Sequence, residues 1–261
     1  MKQIFFIVLV LLVVSACGNI RQKKAEKNET SKETHDFEDT KGEELPIVDT
    51  TSGNPSGLQS SKKETEADRE RKLNLRRART AFGNGIQYYN KGEMDQAKEA
   101  FKLVLEYDPQ NGKACYNLGK IYYGFNEKDI ALAYYEDAVR CDDKDSASMV
   151  GAGLIFFEKG DYNSALEYYN MAIKLAPNYA LAFYNRGTLL GYQKNYGGAL
   201  TDMSKAIEID PGNSKYYMNR GLANYYLKRN QQACDDWEKA ALMGNAEAQK
   251  ALGIYCKKIE K

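Results

Sequence analysis

Apolar side chains fall into three regimes along the chain. Ile4 to Val14 is an unbroken apolar run of eleven residues behind Met1 and Lys2. Between residues 18 and 77 such side chains thin out. That segment holds 13 basic and 13 acidic residues among Ser, Thr, Gly and Pro, and Phe37 is its single aromatic residue. From Ala78 the apolar positions return with a fixed period. Aligned on Gly-x-x-Tyr and on Ala-x-x-x-aromatic, they form five units of 34 residues without an insertion: 78–111, 112–145, 146–179, 180–213 and 214–247.

Each unit reads as two antiparallel helices, A and B. Small residues recur at unit position 8 (Gly85, Gly119, Gly153, Gly187, Gly221) and at position 20 (Ala97, Ala131, Ala165, Ala199, Ala233). Two helices approach closely only where neither carries a bulky side chain, so these columns predict the contact between A and B. Position 24 fills the adjoining gap with Phe101, Tyr135, Tyr169, Met203 and Trp237, and position 27 stays small or β-branched from Val104 to Ala240. Pro109, Pro177 and Pro211 at position 32 each end a helix B.

These columns resemble the tetratricopeptide repeat. The resemblance covers residues 78–247 and implies an all-α fold, a right-handed superhelical solenoid of antiparallel helix pairs with a capping helix over 248–261. Departures are local: Asp143 replaces the proline of the second unit, Gly244 supplies the stop in the fifth, and Asn224 stands where helix A carries an aromatic. The series Trp237, Ala240, Ala241, Gly244, Ala248, Leu252, Gly253 and Tyr255 resembles a Sel1-like repeat junction, with Lys257, Lys258 and Lys261 facing water and the helix C-terminus.

The N-terminal run is too short to span hydrocarbon comfortably and reads as an export signal over residues 1–16. Val14, Ser15, Ala16 and Cys17 resemble a bacterial lipobox, which implies that Cys17 is acylated, with palmitate among the chains, and becomes the new N-terminus. Buried acyl carbons contribute roughly 0.8 kcal/mol per CH₂, so several chains hold a protein on a bilayer. Residues 17–77 then form a charged tether, disordered until about Glu64 or later, with a root-mean-square span of about 40 Å. Within it, Arg69, Arg71, Lys72, Arg76 and Arg77, with Arg79 beyond, read as the solvated lead-in to the first helix, with anionic lipid or a partner as the competing reading. Gly18 after the anchor favours outer-membrane sorting in a cell with two membranes.

Composition narrows the chemistry. With 37 Lys and Arg against 36 Asp and Glu, the net charge of +1 offers no footprint for nucleic acid. His35 is the single histidine, so neither a His-rich metal site nor an imidazole base is available to the repeats. We expect no metal, no cofactor, no small-molecule substrate and no enzymatic activity. Arg186 and Arg220 at position 7 occur only in the units that carry Asp202 and Asp236 at position 23, which predicts an ion pair between A and B in each. Cys234 and Cys256 lie eleven residues on either side of Asn245, so helices turning near Gly244 bring them face to face as a disulfide candidate. Cys115 and Cys141 read as buried thiols.

In the family resembled, helices A line a concave surface. The residues placed there are Phe82, Ile86, Tyr89, Tyr116, Asn117, Lys120, Tyr123, Val150, Leu154, Phe157, Tyr184, Asn185, Thr188, Met218, Asn219, Leu222 and Tyr225. Such a groove is apolar and aromatic, with Asn amides able to hold a peptide backbone. The competing reading is that roughly half of these side chains fill the seams between units. A dicarboxylate clamp is rejected, because Phe82, Ile86 and Val150 occupy the places it needs. The expected function is a membrane-anchored adaptor of the bacterial cell envelope that binds other envelope proteins. The alternative is a dedicated or self-associating subunit of an envelope assembly or secretion machine.

Overall fold

The computed structural model describes residues 64–256. The expected export signal, Cys17, the expected tether up to residue 63, and Lys257, Lys258 and Lys261 lie outside the described residues. The chain divides into two compact units, one ending at Arg76 and one beginning at Arg77.

In the first unit, Thr65 and Asp68 build a capping box. The Thr65 backbone N–H and hydroxyl donate to Asp68 Oδ2 at 3.0 and 2.7 Å, and the Asp68 N–H donates back to Thr65 Oγ1 at 3.2 Å. These bonds hold the Asp68 carboxyl below its usual range. Helix α1 (Glu66–Lys91) starts there, so 66–77, counted with the charged tether by composition, is helical, as the lead-in reading of its Arg residues expected. The cap satisfies the first orphan N–H groups, and acidic residues in the first turn suit the helix dipole. Arg69, Arg71, Lys72 and Arg76 are exposed along it.

The second unit is a stack of helix pairs. After α1 come α2 (Met94–Tyr107), α3 (Gly112–Gly124), α4 (Lys128–Cys141), α5 (Ser146–Glu158) and α6 (Tyr162–Leu175). They are followed by α7 (Ala180–Tyr192), α8 (Tyr196–Ile209), α9 (Ser214–Tyr226), α10 (Asn230–Leu242) and α11 (Ala246–Ala251). No strand occurs among the described residues. Odd-numbered helices α1 to α9 are the A helices and even-numbered α2 to α10 the B helices. Every helix from α3 to α10 packs on its sequence neighbours, and α3, α5, α7 and α9 also touch one another in succession. The A helices therefore form one continuous row.

Local chemistry sets the turns. Unit position 15 closes each A helix in the left-handed region, as Gly92, Asn126, Gly160, Lys194 and Lys228, with φ between 61° and 80°. The next residue's N–H then reaches back five residues, as Glu93 to Tyr88 and Asn195 to Leu190, which satisfies a terminal carbonyl. Each B helix stops two residues before Pro109, Pro177 or Pro211 where proline is present. Asn111, Asp145 and Asn213 cap the A helices that follow.

The small-residue columns let the position 24 side chain in as expected. The space left by glycine at position 8 is taken by the position 24 ring in four units, and in unit four by Asp202 Cβ and Met203 Cε, with the Ala199 and Ala233 carbonyls of position 20 also close to Gly187 and Gly221. A Cβ at Gly119 would lie 2.7 Å from the Tyr135 ring and one at Gly221 would lie 2.5 Å from Trp237 Nε1. The ring is the larger group and reaches across first. Tyr135 is also covered from the next unit, where a Cβ on Gly151 would lie 2.6 Å from it. Burial drives its phenol far above the usual range.

The expected ion pairs join A and B in units four and five. Arg186 Nε and Nη2 donate to Asp202 at 2.8 and 2.7 Å, and Nη1 donates to Asn170 Oδ1 of the preceding unit at 2.7 Å. Asn224, in place of the helix A aromatic, donates to Asp236 Oδ2 at 3.0 Å. Among the described residues no buried side-chain polar atom lacks a partner.

At the end of the stack, Cys234 and Cys256 form a disulfide, S–S 2.01 Å and Cα–Cα 5.9 Å. The resemblance implied a capping helix over 248–261; among the described residues α11 (Ala246–Ala251) gives way to a π-helical turn over Leu252–Cys256. The turn lays Tyr255 on Tyr225 and Trp237, ring centroids 4.7 and 5.7 Å apart. Cys115 is buried, whereas Cys141 is only half-buried because it sits in the last turn of α4.

Candidate functional site

The units are not equally filled. At position 12, near the end of helix A, four units carry a ring (Tyr89, Tyr123, Phe157, Tyr225), and the fourth has Gly191. At position 24 four units again carry a ring, and the fourth has Met203. Two missing rings in one unit leave space, and a cleft of about 370 Å³ opens there. Its floor is made by Gly187, Gly191, Ala199, Met203 and Ala223.

Aromatic rings form the walls. On one side Phe157 of unit three stands edge-on to Tyr192, centroids 5.8 Å apart, with Tyr162 behind both. The Tyr162 and Tyr192 hydroxyls are hydrogen-bonded, which holds the Tyr162 phenol above its usual range. On the other side Tyr196 stacks on Tyr226 at 4.5 Å and 10°. Tyr192 is 64% exposed and Tyr226 49%, so both present ring faces to solvent. Thr188, Asn219, Leu222 and Lys194 complete the lining, and Lys194 is its one charged side chain. The Thr188 hydroxyl is engaged by the Tyr184 carbonyl at 2.8 Å, and Asn219 hydrogen-bonds the Tyr184 side chain.

Further along the A row the side chains close on one another. Lys120 Nζ lies over the Tyr89 and Tyr116 rings at 4.6 and 5.6 Å. The Tyr123 hydroxyl donates to Glu158 Oε1 at 2.6 Å, and Lys128 Nζ lies 3.0 Å from Glu158 Oε2. Burial, and then that bond to a carboxylate, push the Tyr123 phenol up to about 12.

Three family models match the chain: two described as tetratricopeptide repeat, over residues 89–150 and 184–251, and one as TPR repeat, over 153–194. This chain is a tetratricopeptide-repeat protein. Solved structures agree with its fold. The MamA protein superimposes with a TM-score of 0.54 at 25% identity, over 68% of this chain and 94% of that one. The pilF protein of Pseudomonas aeruginosa reaches 0.62 at 20% identity, over 67% and 81%. YrrB, a TPR protein with an unusual peptide-binding site, reaches 0.55 at 20%, over 74% and 100%. No curated protein matches the sequence significantly.

Within the tetratricopeptide array, the residues placed in the groove by sequence divide by role. Phe157, Thr188, Asn219 and Leu222 line the cleft. Phe82, Ile86, Tyr89 and Tyr116 pack on the core of the first units, with Phe82 edge-on to Phe101 at 5.4 Å. Met218 and Tyr225 pack against the last core, and Val150 is buried in the third. Asn117 turns back to the Lys113 carbonyl of its own helix at 2.8 Å. Tyr184 packs on Tyr216, centroids 5.1 Å apart, while Leu154 and Asn185 are half-buried on their helices. Sequence reasoning did not single out Gly191, Tyr192, Lys194, Tyr196 or Tyr226. The available signal was a gap, a glycine where the other four units place a ring.

Proposed function

We propose that the chain is a lipid-anchored scaffold of the bacterial cell envelope that holds segments of partner proteins on the A-helix face of its repeats and acts by contact, not by bond-making. Tetratricopeptide repeats generally mediate contacts between proteins. The observation that carries the reading is the open cleft of units three to five, with the exposed rings of Tyr192 and Tyr226 at its mouth. Apolar rings that a fold leaves uncovered are the usual contacts of a protein interface. Membrane attachment rests on the lipobox-like Val14 to Cys17, and outer-membrane sorting on Gly18. The Cys234–Cys256 disulfide supports export, since such bonds persist in oxidising compartments.

Two measurements test this. A photoreactive residue at Tyr192, activated in intact cells, should give a discrete adduct with another envelope protein. Adducts only with a second copy of the chain favour a self-associating subunit, and none at all removes the binding role. Cys17→Ser should shift the protein from the membrane to the soluble fraction; unchanged fractionation sinks the anchor.

A further inference from the structure

We infer that the cleft opened by Gly191 receives one bulky apolar side chain of a partner segment, and that an acidic side chain beside it on that segment pairs with Lys194. The inference rests on the binding role proposed above and names the chemistry of what is bound. Size is the first argument. A cavity of about 150 Å³ accepts a benzene ring, so the cleft of about 370 Å³ holds an aromatic or large aliphatic side chain with adjoining backbone. Its floor is glycine, alanine and methionine, which suits an apolar insert, and Met203 adapts its shape to what enters.

Charge is the second argument. Lys194 is the one charged side chain lining the cleft, and among the described residues no carboxylate lies within ion-pair distance of it. The partner charge is a side-chain carboxylate and not a chain terminus. A terminal carboxylate needs several converging donors, whereas the Thr188 hydroxyl and the Asn219 amide already bond Tyr184.

The probe is a random library of short peptides fused at both ends, with a second library carrying free C-termini, each selected on the purified full-length protein. Peptides enriched from the first library should pair an aromatic or large aliphatic residue with a neighbouring Asp or Glu. Gly191→Tyr, which restores the ring found in sister units, should weaken them about tenfold or more, whereas Gly191→Ala should not, since its Cβ would meet only Ala199 Cβ at 3.8 Å. Lys194→Gly should weaken them about threefold and flatten their salt dependence. If Gly191→Tyr fails to fold by circular dichroism, Tyr226→Ser, at the exposed rim, serves in its place with the same expectation. Binders indifferent to these cleft changes overturn this inference while leaving the binding role intact. Binders without an acidic preference, or found only with free C-termini, overturn the pairing with a side-chain carboxylate. No binders from either library overturn the binding role itself.

Discussion

Arg220 on α9 grips Asp236 on α10 with two nitrogens, Nε at 3.1 and 3.0 Å from the carboxylate oxygens and Nη2 at 2.5 Å from Oδ1. Asp236 is buried, and Asn224 supplies its third donor. Removing one member strands the other's charge beside the core. Asp236→Ala should therefore cost about 3 kcal/mol in urea unfolding. The double change Arg220→Met with Asp236→Leu should cost clearly less than the sum of the two single changes. Additive losses would mean that the two side chains do not act as a pair.

Glycines on two A helices, Gly221 on α9 and Gly191 on α7, should respond oppositely to the same substitution. At Gly221 a Cβ would lie 2.5 Å from Trp237 Nε1 and 3.1 Å from the Ala233 carbonyl, so Gly221→Ala should cost about 1–3 kcal/mol through overpacking. At Gly191 the nearest atom is Ala199 Cβ at 3.8 Å, so Gly191→Ala should stabilise by about 0.5 kcal/mol through helix propensity. Thermal denaturation of the two variants side by side checks the contrast.

The array was legible because its columns repeat. The glycines at position 8, the rings at position 24 and the prolines at position 32 recur at the same offset, and one packing solution explains each column. Position pairs were legible where two residues changed together, as Arg186 with Asp202 and Arg220 with Asp236. The cleft was not, because it arises from what unit four lacks. Gly191 and Met203 are unremarkable singly, and only the fold shows that both missing rings face the same space. Tyr192 and Tyr226 share unit position 13 with Asn90, Gly124 and Glu158, so no column marks them. The start of α1 at Glu66 was legible only as a bound: a charged composition argues for disorder until about Glu64 or later, and the local cap of Thr65 and Asp68 that sets the first turn is not something composition registers.

Half-buried tyrosines set an alkaline limit. The Tyr123 phenol ionises at about 10 unfolded and about 12 in the fold, so the folded state holds its proton more tightly. Stability from this group is fully present below pH 10 and is lost as pH rises through 12. The Tyr179 phenol, raised to about 12 by burial, acts in the same direction. The urea midpoint should fall across this window, and near-ultraviolet titration should show a late phenolate step reduced in Tyr123→Phe. A midpoint flat from pH 10 to 12 would contradict the raised ionisation of these phenols.

The cap at the end of the array depends on a covalent tie. Cys234 and Cys256 close a loop with a sequence separation of 22, which restricts the unfolded chain by about 3 kcal/mol. The tie also holds the turn that lays Tyr255 on Tyr225 and Trp237, so its loss should be felt locally before it is felt globally. In Cys234→Ser, amide exchange should rise first over residues 246–256, with α3 to α6 little changed. Reductant should lower the thermal midpoint of the parent protein and leave that of Cys234→Ser nearly unmoved. Equal shifts in both would mean that the reductant acts by a route other than this disulfide.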